Sequence, residues 1–256
     1  MKKLFTAIII TAALGLLSST ISAQAVRIGT EGAYPPFNSI DPNGNLVGFD
    51  IDIADALCDA ANIQCEFVVQ DWDGMIPGLL AKKYDAIIAS MSITEERKKK
   101  VDFTGKYYNT PAKFVAPVGK NLDVSPEGLS GMSVAVQRAT IHENFLRDNF
   151  PDLEIRVYAT QDEANADLAS GRVDLGHANS VALMAGFLNT DMGKGFEFVG
   201  PDYNAPQWHG VGAGIAVRKG ANNLRMRLDA AIDTIRANGT YAKINAKYFN
   251  FDVFGD

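Results

Sequence analysis

The chain has 256 residues, with 24 Lys and Arg against 30 Asp and Glu and a net charge of −6. An acidic chain without a basic block excludes nucleic acid as a partner, because phosphate binding is built from clustered Lys and Arg. Beyond the N-terminal segment no run approaches the roughly 20 apolar residues that span a bilayer.

In chain order, residues 1–25 read as an export signal. Lys2 and Lys3 give a positive start, Leu4 to Leu17 an almost unbroken apolar run, and Ala23-Gln24-Ala25 a small-x-small cleavage site. A membrane anchor is the alternative, for which the run is short. Cleavage after Ala25, or after Ala23, releases a periplasmic protein. Removing 25 residues leaves 231, with 22 basic and 30 acidic side chains and a net charge of −8, enough chain for two modest cores. Cys58 and Cys65 are the only cysteines, and neither lies at the cleavage point, so no lipid anchor is expected. In an oxidising compartment they suggest one local disulfide, constraining the unfolded chain by ~2–3 kcal/mol; two free buried thiols is the other reading.

Val26 to Ile28 is a short β-rich run followed by a loop from Gly29 to Pro36. Ile53, Leu57 and Ala61 lie on one stripe and predict a helix over 50–62. Glu66 to Val69 reads as a strand, Trp72 to Lys82 as a helix, and Asp85 to Ala89 as a buried strand. Thr94 is placed to cap a short helix through Lys99. Tyr107 to Val118 reads as one extended strand containing Pro111. The strand–loop–helix pattern then resumes, with a strand over 134–136, helices over 142–150 and 162–170, a strand over 173–176 and a helix over 180–188. A Gly-rich strand over 210–217 and helices over 222–238 and 241–248 complete the chain. This alternation predicts α/β layers with largely parallel strands. Residues 79–86 faintly echo residues 168–175, a register that sets Ser90 opposite Asn179, each just past a strand end. Ligands bind at that edge of open α/β sheets.

Three constellations carry chemistry. Ser90-Met91-Ser92-Ile93-Thr94-Glu95-Glu96-Arg97 leaves a buried strand and reaches a guanidinium, whose planar fork suits a carboxylate. The bland alternative is a capped helix with a solvated basic face over Arg97 to Lys100. Gln137-Arg138-Ala139-Thr140 stands at a strand-to-helix junction, where backbone N–H groups suit an anion, although Thr140 could serve only as an N-cap. Tyr34 and Trp72 lie in loops at strand ends and could sandwich a flat or cationic group, with Glu31 receiving a positive tip; core packing is the alternative for Trp72. His142, His177 and His209 lack metal-ligand spacing, no G-x-S-x-G elbow or phosphate loop is present, and no metal or cofactor is expected.

With these residues in view, the chain resembles the periplasmic polar amino-acid binding proteins, above all their lysine/arginine/ornithine- and histidine-binding group. The matching stretches run from Arg27 to Phe37, Gly48 to Asp52, Asp85 to Ile87, Ser92 to Arg97, Asp102 to Thr104 and Asn238 to Phe249. The resemblance implies a two-lobed α/β fold with two crossing strands near 109–112 and 207–212 and a ligand cleft between the lobes. Lobe 1 would comprise 26–110 and 211–256, and lobe 2 would comprise 111–210. It implies a disulfide between Cys58 and Cys65, a monomer, and a membrane permease of an ABC importer as partner. Arg97 would hold an α-carboxylate with the Ser92 and Thr140 amides, Ser90 and Ser92 would meet the α-ammonium, Tyr34 and Trp72 would flank the side chain, and Glu31 would face its far end. One departure stands out. Where the family carries an aspartate for the α-ammonium, this chain has Asn179, which keeps an acceptor but drops the charge. Two further contact positions are changed, to Ala89 and His142. The expected ligand is therefore a polar, basic amino acid or a derivative altered at its amino end, such as an opine. An enzyme resembling cyclohexadienyl dehydratases, with Glu31 or His142 as acid or base, is the second class, and a sensory module working through a separate partner is the third.

Overall fold

The structure is a computed structural model that describes residues 25–255; the expected export signal lies, apart from Ala25, outside the described residues. β1 (Val26–Thr30) enters the interior at once, with Ile28, Gly29 and Thr30 buried. A small antiparallel sheet of β2 (Ala33–Tyr34), β3 (Asn38–Ile40) and β4 (Leu46–Val47) follows; β2 lies within the loop expected over 29–36, and β3 and β4 fall in a stretch where the sequence pattern marks no element. α1 (Phe49–Ala60) buries Ile53 and Leu57 of the predicted stripe, flanked by Ala54 and Cys58, while Ala61, just past its end, is only partly buried. β5 (Cys65–Val69) runs parallel to β1, and a disulfide joins Cys58 to Cys65 across the α1–β5 turn, with a Cα–Cα distance of 6.2 Å.

The predicted helix over 72–82 is broken in two. Trp72–Gly74 is a 3-10 turn, and α2 (Met75–Leu80) follows it. Tyr84, fully buried, sits where a Cβ on Gly29 or Gly78 would stand, and its hydroxyl donates to the Met75 carbonyl at 2.5 Å. β6 (Ala86–Ile87) and α3 (Glu95–Lys98) lead to β7 (Val101–Tyr108).

The extended stretch predicted over 107–118 is two strands in different sheets. β7 ends at Tyr108, and β8 (Ala112–Pro117) begins after Asn109, Thr110 and Pro111 have crossed between the sheets. Pro111 has no N–H to give to a ladder, so it suits the crossing. Beyond it come β9 (Ser133–Gln137), α4 (Ile141–Asn149), β10 (Glu154–Tyr158), α5 (Gln161–Ala169), β11 (Leu175–Asn179) and α6 (Ser180–Leu183), which continues into a π-helical turn over Met184–Leu188. β12 (Phe196–Tyr203) completes this half. The return crossing is a short helix, α7 (Pro206–His209), followed by Gly210 to Gly212, rather than a strand. β13 (Ala213–Arg218), α8 (Asn222–Ala237) and α9 (Thr240–Tyr248) rejoin the first half.

Two five-stranded sheets result, in the orders β5-β1-β6-β13-β7 and β10-β9-β11-β8-β12. In each, four strands run in one direction and one, β13 or β8, runs against them in the fourth place, so the sheets are largely but not wholly parallel. Each sheet has apolar packing on both faces. β6 and β11 occupy the third place in their sheets. The echo between 79–86 and 168–175 therefore joins topologically equivalent segments, and Ser90 and Asn179 both stand where these strands run out toward the other sheet.

Candidate functional site

The loops beyond the carboxyl ends of the parallel strands meet across a gap enclosing about 610 Å³ of space free of protein atoms, its open mouth included. All eleven residues singled out from the sequence line it: Glu31, Tyr34, Trp72, Ala89, Ser90, Ser92, Arg97, Gln137, Thr140, His142 and Asn179. Sequence reasoning missed Tyr108, Thr110 and His209 in the same lining. Only their place in the crossings marks them.

Arg97 is not part of a solvated basic face. Lys98, Lys99 and Lys100 are exposed, whereas Arg97 is half-buried with its Cζ 5.2 Å from the centroid of the Trp72 ring. Thr94 caps α3, its Oγ1 accepting from the Arg97 amide at 3.2 Å, and this cap turns the side chain back into the gap. One guanidinium nitrogen donates to the Ser92 carbonyl at 3.0 Å, and no carboxylate among the described residues pairs with the group. Desolvation lowers its pKa to about 10. A partly desolvated cation with spare donors and no ion-pair partner suits an incoming anion.

Ser90 holds a left-handed backbone, with φ 55°. A buried network fixes it there. Its amide donates to the Tyr107 hydroxyl at 3.0 Å, and its hydroxyl donates to Asp50 at 2.9 Å. Asp50 also accepts from Tyr107 at 2.9 Å and from Asn38 at 2.8 Å, and burial raises its carboxyl to about 6. With its proton directed at Asp50, the Ser90 oxygen keeps lone pairs for a donor in the gap.

The opposite side is acidic. Glu31 is buried, and desolvation raises it to about 7; Gln137 pulls the other way by donating to it at 2.5 Å, and Asp71, Asp162 and Asp73 add repulsion. A cation placed here relieves both the desolvation and the repulsion. Trp72, between the two ends, is half-buried, and its indole N–H donates across the gap to the Ala139 carbonyl at 3.0 Å. Arg138 and Asp73 form a second bridge at 2.7 Å. With the Glu31–Gln137 bond, these contacts hold the two sheets together in a closed arrangement.

Thr140 takes the capping role that the sequence left open for its side chain, and Asn179 departs from the role that the resemblance implies. Thr140 is an N-cap: its Oγ1 accepts from the Glu143 amide at 3.1 Å and donates to the Gln137 carbonyl at 2.8 Å. Asn179 does not present its acceptor to the gap. Its amide oxygen caps α6, accepting from Val181 at 3.0 Å and Ala182 at 3.4 Å. Its Nδ2 donates to the Thr110 hydroxyl. Because the backbone N–H groups fix which end is oxygen, the end left over is a donor. His142 lines the gap close to His177 and His209, with ring centroids 5.4 and 6.1 Å away. Among the described residues no group of His, Cys, Asp or Glu is arranged to hold a metal.

Known proteins share this design over the whole chain. An L-arginine-binding protein of Pseudomonas aeruginosa is 48% identical over 100% of this chain and 99% of its own. A histidine-binding periplasmic protein of Escherichia coli is 42% identical over 100% of both. Among solved structures, a Salmonella typhimurium periplasmic binding protein of high arginine specificity superposes with a TM-score of 0.83 at 30% identity, covering 89% of this chain and 100% of its own. The sequence profile of one family matches residues 26–251, and with these likenesses it establishes that the chain belongs to the bacterial extracellular solute-binding proteins, family 3.

Proposed function

We propose that the protein is a periplasmic receptor that closes its two lobes on an amino acid with a cationic side chain and delivers it to the membrane permease of an ABC importer. The observation that carries this reading is the charge layout of the gap: an unpaired guanidinium, Arg97, at one end and a buried carboxylate, Glu31, at the other, with the Trp72 ring between. Arg97 takes the α-carboxylate, the Ser90 oxygen takes a proton of the amino group, and Glu31 takes the cationic tail. The lobes are 26–110 with 211–256, and 111–210, a division supported by the membership of the two five-stranded sheets. The hinge comprises Asn109 to Pro111 and Gly210 to Gly212, the receptor acts as a monomer, and the export signal over 1–25 is removed on secretion. The arginine, histidine and lysine/arginine/ornithine specificities named for similar proteins favour a basic ligand.

Recognition proceeds without catalysis. Micromolar affinity requires about 8 kcal/mol, within reach of one bidentate carboxylate clamp, a stacked tail and lobe closure. Titration calorimetry against L-arginine, L-ornithine, L-lysine and L-histidine tests the reading: at least one binds with a dissociation constant of about 10 μM or tighter, and an absence of heat for all four refutes it. Turnover of prephenate or arogenate would show an enzyme instead.

A further inference from the structure

The amino group of the ligand finds no free anion in the wall of the gap. Glu31 is the one carboxylate lining the cavity, and the reading above assigns it to the cationic tail. Ser90 belongs to the same lining, and behind it stands Asp50, fully buried in the first turn of α1. The Ser90 hydroxyl donates to the Asp50 Oδ2 at 2.9 Å, and Asn38 donates to the same oxygen at 2.8 Å. The Tyr107 hydroxyl donates to Oδ1 at 2.9 Å and accepts from the Ser90 amide at 3.0 Å. Asp50 thus grips Ser90 twice, directly and through Tyr107, and holds it in a left-handed backbone that serine rarely adopts.

What Asp50 lacks is a cation. None of the ion pairs among the described residues includes it. The titratable side chains that share its field are Tyr34 on β2, Tyr107 and Tyr108 on β7 and Tyr241 on α9; burial raises all four, so they are neutral near pH 7. Asn38 on β3 and Ser90 are neutral donors. Desolvation raises the Asp50 carboxyl to about 6, with the bonds from Asn38, Tyr107 and Ser90 opposing the rise. A buried carboxylate with neutral partners alone gains from any cation brought near it.

We propose that Asp50 is the counter-charge for the α-ammonium and acts on it through the Ser90 hydroxyl. This rests on the receptor reading above, in which the ammonium donates to Ser90. Ionised Asp50 takes the Ser90 proton, so the Ser90 oxygen presents lone pairs to the gap; it has two, enough for the ammonium even with the Tyr108 hydroxyl beside it. The ammonium then lies about 5 Å from the carboxylate, two hydrogen bonds away, a separation at which opposite charges in a partly desolvated site still attract. A protonated Asp50 is neutral and can give its proton to Ser90, whose own proton then faces the ammonium. Affinity for the α-amino group is therefore full above about pH 7 and falls as pH drops through 6, whereas a ligand without that group does not sense Asp50.

The test is titration calorimetry between pH 5 and 8 with the tightest binder among L-arginine, L-ornithine, L-lysine and L-histidine and with its des-amino analogue (for arginine, 5-guanidinopentanoic acid). Both compounds keep the carboxylate for Arg97 and the tail for Glu31, so those contributions cancel in the ratio of the two affinities. In wild type the amino acid binds at least tenfold more tightly at pH 7.5, and this ratio falls at least threefold by pH 5. Asp50→Asn lowers the ratio at least fivefold at pH 7.5 and leaves it flat with pH. Tyr107→Phe removes one donor to Asp50, so the midpoint of the fall moves to higher pH; this arm decides the matter should Asp50→Asn fail to fold. A wild-type ratio flat across pH, an Asp50→Asn variant that weakens both compounds alike, or an unmoved midpoint in Tyr107→Phe overturns the inference while leaving the receptor reading intact. Failure of all four amino acids to bind wild type refutes the receptor reading and this inference with it.

Discussion

Replacing Arg97 with Met separates binding from stability. The guanidinium is half-buried against Trp72, keeps one bond to the Ser92 carbonyl and has no ion-pair partner. Desolvation lowers its pKa from the usual guanidinium range to about 10. Holding it charged in the unliganded protein therefore costs roughly 1–3 kcal/mol, after allowance for the part still in water. Met fills similar volume on the indole face without that cost. The unliganded variant is thus expected to melt at the same temperature as wild type or up to several degrees higher, since 1 kcal/mol moves a chain of this size by about 2–4 °C. Ligand affinity goes the other way. Leaving a carboxylate in the gap without its charged partner costs about 3–5 kcal/mol, or a loss of roughly 150-fold to several thousand-fold. Scanning calorimetry of the unliganded proteins and titration calorimetry with the best wild-type ligand check the two arms. A variant that melts well below wild type would mean that Arg97 is a structural cation. Unchanged affinity would mean that the carboxylate is held elsewhere.

The pH dependence of binding follows from Glu31, whose carboxyl is raised to about 7. A cationic tail binds the ionised form, so affinity is flat above about pH 7.5 and falls by up to tenfold per pH unit below 7; Glu31→Gln weakens binding at pH 8 and flattens that slope, as calorimetry across pH 5.5–8.5 would show. His177 sits among Phe114, Phe145 and Tyr203, with burial holding it down to about 3. The unfolded chain takes up its proton near 6.5, so this contribution to stability is complete above pH 6.5 and lost as pH falls toward 3, at up to about 1.4 kcal/mol per unit. Glu31 and Asp50 are raised in the fold and act with opposite sign, so the comparison must be between variants: His177→Phe makes denaturant stability less acid-sensitive than wild type over pH 4–6, and an unchanged slope would refute the assignment. Gly210, at the return crossing, has φ 75°, and a Cβ there would stand 2.3 Å from the Ile93 carbonyl oxygen. Gly210→Ala is expected to cost at least about 1–3 kcal/mol and to lower the melting temperature accordingly, whereas a melt equal to wild type would show that the crossing bends elsewhere.

Much of this architecture was legible before any coordinates. Ile53 and Leu57 lie on one helical stripe, and β-branched runs such as Val26 to Ile28 mark buried parallel strands. The breaks were harder to see. Tyr107 to Val118 carries apolar residues on both sides of Pro111, and local pattern alone does not say that the two arms join different sheets. Glu154–Tyr158 and Phe196–Tyr203 interleave charged residues with apolar ones at the outer edges of their sheet, and so lack the continuous apolar run of a central strand. The eleven candidate residues converge because each flanks a strand end or helix start, a position that pattern does reveal. The facing of Asn179 was not legible, because it depends on which amides lie within reach of its oxygen. Nor was the meeting of His209 with His142, which depends on the chain returning through α7 against α4.

The central claim is that a carboxylate enters between the two sheets and is met by Arg97. Diffraction from crystals of the protein grown with its tightest-binding ligand addresses it directly. The account predicts a carboxylate within hydrogen-bond distance of the Arg97 guanidinium, with the cationic tail over Trp72 and directed at Glu31. A ligand seated outside the gap, or one whose carboxylate leaves Arg97 unbonded, would contradict it.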